Sequence, residues 1–366
     1  MACGLAGEAD WPARLGADVS VMRMRWSRIS RVLSAHYLER RARVPVLLVA
    51  AATLDLAAGA GLAYVVGFGQ VRAVLGDFQG GWIAALLGAL LVSAVGYYYA
   101  YRGVFRVDGG PRLPRRELLA VAAAGFGGHL AHGGGPLDQY ALRAAGADED
   151  QAKVRAAGLA GMEHGVLAII GTGTAIAVLA LGLGKPPASF TIPWAVLPVP
   201  GFLIAFWAAE RYRCRLHGQP GWRGRAGIFL DSIHVIRELF AHPLRWWPAI
   251  LGMALFWAAD AFAAWAGLAA FGFQMNAAAL YVGFATGMLF TRRTGPLAGA
   301  GILALMLPVT ISGCGAPFAV AIVGVIVYRV LPLWLSTPVS LFVLPTLRQM
   351  GRRQAAQPPA RTQRTR

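Results

Sequence analysis

Charge is scarce in this chain: only 14% of its 366 residues are Asp, Glu, Lys or Arg, where a soluble globular domain carries about 25%. With 57% hydrophobic residues, it cannot cover its apolar surface in water, so lipid is its natural solvent. Cysteine is almost as rare. Cys3, Cys214 and Cys314 have neither metal-ligand nor redox spacing, and neither a disulfide framework nor a thiol zinc site is expected. Nucleophile-elbow, P-loop and dinucleotide fingerprints are missing. His129, His132, Asp138, Glu163 and His164 could be drawn together as metal ligands, but no HExxH or comparable signature supports it. No metal and no cofactor is therefore expected.

Basic residues are plentiful by comparison, with 34 Lys and Arg against 17 Asp and Glu and a net charge of +17. Almost all of them are arginine. They sit between apolar blocks, not on one polar domain, which suits anionic lipid headgroups and the positive-inside rule better than nucleic acid.

Long apolar runs supply the framework. A spanning helix needs about 20 mainly apolar residues. Val46–Phe68, Trp82–Tyr101, Val154–Leu183 and Trp247–Phe271 qualify, Pro193–Ala209 and Ala277–Phe290 are shorter, and Ala316–Leu347 contains Pro332, Pro338 and Pro345. The last is expected to be kinked or broken. Residues 118–135 and 295–315 are apolar but rich in Gly and Pro, so they make poor continuous helices. Non-helical backbone at membrane depth must be buried in protein or line a watery cavity, and both stretches read as re-entrant or broken segments. The expected fold is an all-α polytopic membrane bundle of seven or eight spans. Residues 1–43 read as a basic segment with an amphipathic helix over 20–43, 44–347 as the transmembrane domain, and 348–366 as a basic disordered tail. A second amphipathic helix is expected over Ile228–Phe240, with Phe229, Ile233, Ile236 and Phe240 on one face.

Arginine placement sets the orientation. The N-terminal segment, the 102–116 loop, the 211–245 loop and Arg292-Arg293 are all basic, which predicts a multi-pass protein of the cell (inner or plasma) membrane with a cytoplasmic N-terminus. The N-terminal stretch does not read as a cleaved signal peptide.

Intramembrane charge marks where to look for function, because each such group is costly and normally faces a partner or a wet cavity. Asp55, Glu163, Asp260 and Arg329 lie inside the apolar blocks. Structural ion pairing explains such groups as well as a binding role does, and more readily for Asp55 and Asp260. The stretch Phe126–Asp138 is the densest in glycine. Its backbone N–H groups, with Arg143 as the nearest arginine, could hold an anionic headgroup; a tight turn needing Gly only for packing would look the same. Glu163-His164 could couple to protons, since His titrates near neutral pH. Gly171-Thr172-Gly173 lies inside an apolar run and reads as helix packing.

Two blocks are alike. Gly135-Pro136-Leu137 recurs as Gly295-Pro296-Leu297, and each is followed by an apolar run with embedded charge, at Glu163-His164 and at Arg329; paired broken helices of this kind occur in transporters. The first block, Gly133-Gly134-Gly135-Pro136-Leu137-Asp138 through Glu163-His164, and the second, Gly295-Pro296-Leu297-Ala298-Gly299 through Tyr328-Arg329 and Leu333-Trp334-Leu335, resemble the flippase-like transmembrane region of lysylphosphatidylglycerol synthases. The resemblance covers about residues 44–347. It implies movement of a lipid or lipid-linked substrate between leaflets, with anionic phospholipid as the partner. With Arg143 from the reading of the Gly-rich stretch, the expected substrate-binding residues are Gly134, Gly135, Pro136, Asp138, Arg143, Glu163, His164, Gly295, Pro296, Gly299 and Arg329. There are departures: Asp138 stands where the family has Glu, His164 where it has Arg, and Ala300 near a position that is usually acidic. Aminoacyl transfer in that family resides in a separate soluble domain and is not expected of these segments. Two other readings stay open: a membrane-embedded glycosyltransferase using a polyprenyl-phosphate sugar, for which Asp77 would be the outer-loop acid, and a non-catalytic membrane scaffold.

Overall fold

The computed structural model describes residues 43–126, 134–217, 219–289 and 300–356, and these form helices and short connections with no strand among them. Among the described residues, five helices are long and apolar enough to cross a membrane. They carry many exposed Leu, Ile, Val, Phe and Trp side chains, as an outer face in contact with lipid requires.

In chain order the helices are α1 (Arg43–Val66), α2 (Phe68–Gly76), α3 (Gly81–Arg106), α4 (Arg115–Phe126), α5 (Gly134–Ala144), α6 (Glu149–Leu181), α7 (Ala188–Val196), α8 (Pro198–Leu216), α9 (Trp222–Ala241), α10 (Pro243–Ala269), α11 (Ala277–Gly287), α12 (Ile302–Gly313) and α13 (Phe318–Ala356). Local chemistry sets several ends. Asp148 caps α6 by accepting from Gln151 N at 2.7 Å, and Gly182 closes it in the left-handed conformation. Asn276 caps α11, and Pro198 and Pro243 sit in the first turns of α8 and α10, where a missing N–H costs nothing.

The most extensive packing joins α3 and α10, which run antiparallel along their full lengths. Trp82 meets Trp265 edge-on at 5.2 Å, Ser93 donates to Phe256 O at 3.3 Å, and Gly96 faces Gly252. Lower down, Gly103 faces Ala249. A methyl group on Gly96 would lie 2.4 Å from Gly252 O, and one on Gly252 would lie 2.6 Å from Gly96 O. The backbones therefore touch, as small residues allow when lipid gives helices no hydrophobic reason to associate. Gly267 and Gly324 bring α10 against α13 in the same way.

Three expectations change. The proline-rich final stretch is one helix that continues through Pro332, Pro338 and Pro345. It also runs into the segment expected to be a loose tail. There, Leu347 and Met350 are buried and Arg353 pairs with Glu117 at 2.6 Å, which holds the end of the helix against α4. The amphipathic helix α9 buries Ile233 and Ile236 as expected, together with Val235 and Leu239, but Phe229 is exposed; its apolar face packs on α6 and α8. Cys314 is a buried free thiol. Gly171-Thr172-Gly173 is packing, as its context predicts: Gly171 lies under the Trp194 ring and Thr172 donates to Trp194 O at 2.9 Å. The amphipathic helix expected over 20–43 lies outside the described residues.

Candidate functional site

Four carboxylates, Asp55, Asp138, Glu163 and Asp260, are buried inside the bundle. A buried charge persists only with partners, and the partners come from a small set of aromatic and basic side chains. Tyr97 and Tyr101 stand one turn apart on α3 and pack edge-to-face at 5.0 Å, so their hydroxyls leave the same face of the helix. Tyr101 donates to Asp138 Oδ1 on α5 at 2.7 Å, and Tyr97 to Glu163 Oε2 on α6 at 3.3 Å. One face of α3 therefore ties a short helix to a long one. From α10, Trp257 donates its indole N–H to the backbone oxygen of Glu163 at 2.7 Å, fixing that turn of α6.

The second half of the network is built on α13. Tyr328 donates to Asp260 Oδ2 on α10 at 2.8 Å. The next residue, Arg329, points elsewhere and pairs with Asp55 Oδ2 on α1 at 3.4 Å. The other oxygen of Asp55 accepts from Gly301 N at 2.8 Å. Gly301 precedes α12 with φ 77°, a left-handed conformation that an L side chain rarely adopts. A carboxylate at the start of a helix satisfies a backbone donor and complements the helix dipole. In this way Asp55 links α1, α12 and α13, and the ring contact between Phe284 and Tyr328 at 6.3 Å continues the packing towards Trp257.

The structure brings some of the expected residues together and separates others. Gly134, Gly135 and Pro136 form the first turn of α5, one turn before Asp138. Asp138 and Glu163 share the tyrosine face of α3. Arg329 pairs with Asp55 on α1. Arg143 does not join them; it ends α5 and pairs with Glu149 at 3.6 Å near the surface. His164 is also apart, because consecutive helical residues point about 100° apart. Its Nδ1 lies 2.8 Å from Ala160 O, and its ring lines a separate apolar cavity of about 800 Å³ between α6, α7, α8 and α9. Glu163 and His164 thus face different sides of α6. Gly295, Pro296 and Gly299, like His129 and His132, lie outside the described residues.

Sequence reasoning passed over Tyr97, Tyr101 and Trp257, and favoured packing roles for Asp55 and Asp260. The available signal was the run Tyr97-Tyr98-Tyr99-Ala100-Tyr101, which places two hydroxyls four residues apart inside an apolar helix. It also passed over Arg155, which is buried near the start of α6. Arg155 donates to Phe105 O at 3.2 Å and Val107 O at 2.9 Å. It satisfies carbonyls that the end of α3 leaves open and is a structural cation.

No protein-family model matches the chain, and no curated protein matches it in sequence.

Proposed function

We propose that this chain moves the polar headgroup of a lipid or lipid-linked substrate between membrane leaflets, in the manner of the flippase-like region it resembles. The observation that carries the reading is the buried acid network gathered at two short helices. Asp138 lies inside α5 and Asp55 meets the start of α12. Both helices are under 20 Å long at 1.5 Å per residue, too short to cross a bilayer alone. Buried charge beside incomplete helices is how membrane proteins form a polar path while the acyl chains remain in lipid. On this reading the short helices α11 and α12 and the first part of α13 add crossings to the five long ones, giving seven or eight spans. Helices α4 and α5 dip into the bundle as one broken element, while α12 crosses as part of the second.

The test is reconstitution into liposomes with labelled anionic and zwitterionic phospholipids. The wild-type protein should transfer headgroups between leaflets faster than empty liposomes do, and Glu163→Gln and Arg329→Gln should slow that transfer. Transfer equal to that of empty liposomes would remove the reading. Unchanged transfer in both variants would show that the acid network serves packing alone.

A further inference from the structure

A second polar feature lies away from the acid network, where the C-terminal end of α3 meets the N-terminal end of α10. A pocket of about 550 Å³ opens there, with Arg102 and Arg106 on one wall and Arg245 on the other. Among the described residues none of these three side chains has a carboxylate or hydrogen-bond partner. Arg112 and Arg115 add to the positive field at Arg106. Arg245 lies over the Trp246 ring in a cation–π contact at 5.0 Å. Trp246 also lines the pocket, and its indole N–H is buried without an acceptor among the described residues.

The floor of the pocket is as informative as its rim. Gly103, Ala249 and Gly252 line it, and their small side chains leave the trough open where the two backbones touch. Away from the arginines the walls turn apolar. Trp247, Leu251 and Leu255 follow one another a turn apart along α10 and are all exposed, and Tyr99 continues the α3 wall from Arg102 and is exposed too. Both helices are among those long enough to span a membrane, and Arg102 lies about 30 Å along α3 from Gly81 at 1.5 Å per residue, the thickness of the hydrocarbon core. The cationic rim therefore falls at headgroup depth and the apolar walls at acyl depth, with tryptophans at the boundary between them.

We infer that this trough is a docking site for one anionic glycerophospholipid. The lipid phosphate sits between Arg102, Arg106 and Arg245, an oxygen of its headgroup region accepts from the Trp246 N–H, and an acyl chain lies along Leu251 and Leu255. Three guanidiniums lining one pocket match a phosphate anion through charge-assisted hydrogen bonds, and an amphiphile is the one occupant whose polarity changes along the trough as the walls do. The site does not depend on transport: a protein that holds lipid here without moving it would still have it.

The experiment measures lipid retention by the full-length protein in nanodiscs of defined mixtures of phosphatidylglycerol and phosphatidylcholine. The readouts are quenching of tryptophan fluorescence by brominated chains and native mass spectrometry of retained lipid. The wild-type protein should hold phosphatidylglycerol at least about tenfold more strongly than phosphatidylcholine, a ratio worth about 1.4 kcal/mol. Arg102→Gln with Arg245→Gln should abolish the preference, and Arg102→Lys with Arg245→Lys should retain part of it. Melting temperatures verify that each variant folds. Should the Gln pair fail to fold, the wild-type preference and the Lys pair decide the matter. Equal retention of the two lipids by the wild-type protein, or an unchanged preference in a folded Gln pair, overturns the inference. Displacement of the lipid by millimolar inorganic phosphate in detergent would make the site one for a free anion and also overturn it.

Discussion

Asp55 is fully buried and Arg329 nearly so, and neither can fall back on water if its partner is removed. Losing one member of a buried pair leaves an uncompensated charge and costs about 3–5 kcal/mol. Asp55→Asn should therefore lower stability by about that amount, even though the amide still offers Gly301 N an acceptor. Arg329→Leu in the same chain should recover part of the loss, because it removes the cation that faces Asp55. Thermal melts of the two single variants and the double variant in detergent measure this coupling; strict additivity would show that the pair is not energetically linked. The tyrosines give a graded comparison. Tyr101→Phe removes a 2.7 Å bond to Asp138 and should cost about 1–3 kcal/mol. Tyr97→Phe removes a longer 3.3 Å bond and should cost less.

Among the elements, the α3–α10 crossing depends on glycine pairs. Gly96→Val and Gly252→Val each place bulk where the facing backbone lies within 3 Å of a first side-chain carbon, and overpacking of this kind costs about 1–3 kcal/mol. Gly88→Ala, on the same helix but with open space around the added methyl, should be neutral or gain up to about 1 kcal/mol from helix propensity. Size-exclusion profiles and melting curves of the three variants separate a crowded interface from a general dislike of change in α3. The long spans were legible in the sequence because a run of 20 apolar residues has few other uses. The register between them was not. Gly96 and Gly252 read as ordinary glycines in apolar helices until the facing helix is known, and Tyr97 and Tyr101 show no partner until α5 and α6 are folded beside α3. The Gly and Pro content near α5 and α12 suggests interruptions, and both are short helices. The continuity of α13 was not legible, because proline signals a break more strongly than neighbouring packing can signal continuity. On α9, outside the spanning helices, burial is the main reason the His234 pKa falls below its usual value. Arg213 and Arg237 lower it further and Asp108 and Glu238 oppose them. A His with a lowered folded pKa favours folding while neutral, so that contribution is present above pH about 6.5 and lost as pH falls further. Acidification from pH 7.5 to 5.5 should lower the melting temperature more in the wild-type protein than in His234→Gln.

For the whole molecule, the asymmetry of charge predicts topology. The α2–α3 turn around Asp77 and the α3–α4 connection around Arg112 are separated by a helix about 39 Å long at 1.5 Å per residue, enough to place them on opposite membrane faces. In a background with the native cysteines replaced, Asp77→Cys and Arg112→Cys should react with a membrane-impermeant maleimide from opposite sides of sealed vesicles, with residue 112 on the side of the arginine-rich loops. Labelling of both from one side would contradict α3 as a crossing helix.

The adjacency of Tyr328 and Arg329 has a mechanical consequence. Two neighbouring residues grip different helices, one reaching α10 through Asp260 and the other α1 through Asp55. A twist of α13 about its own axis cannot preserve both grips unless α10 and α1 turn with it. Any rearrangement that exposes the interior to alternate faces must therefore either carry α1, α10 and α13 as one torsionally locked rotor or begin by releasing one of these two bonds.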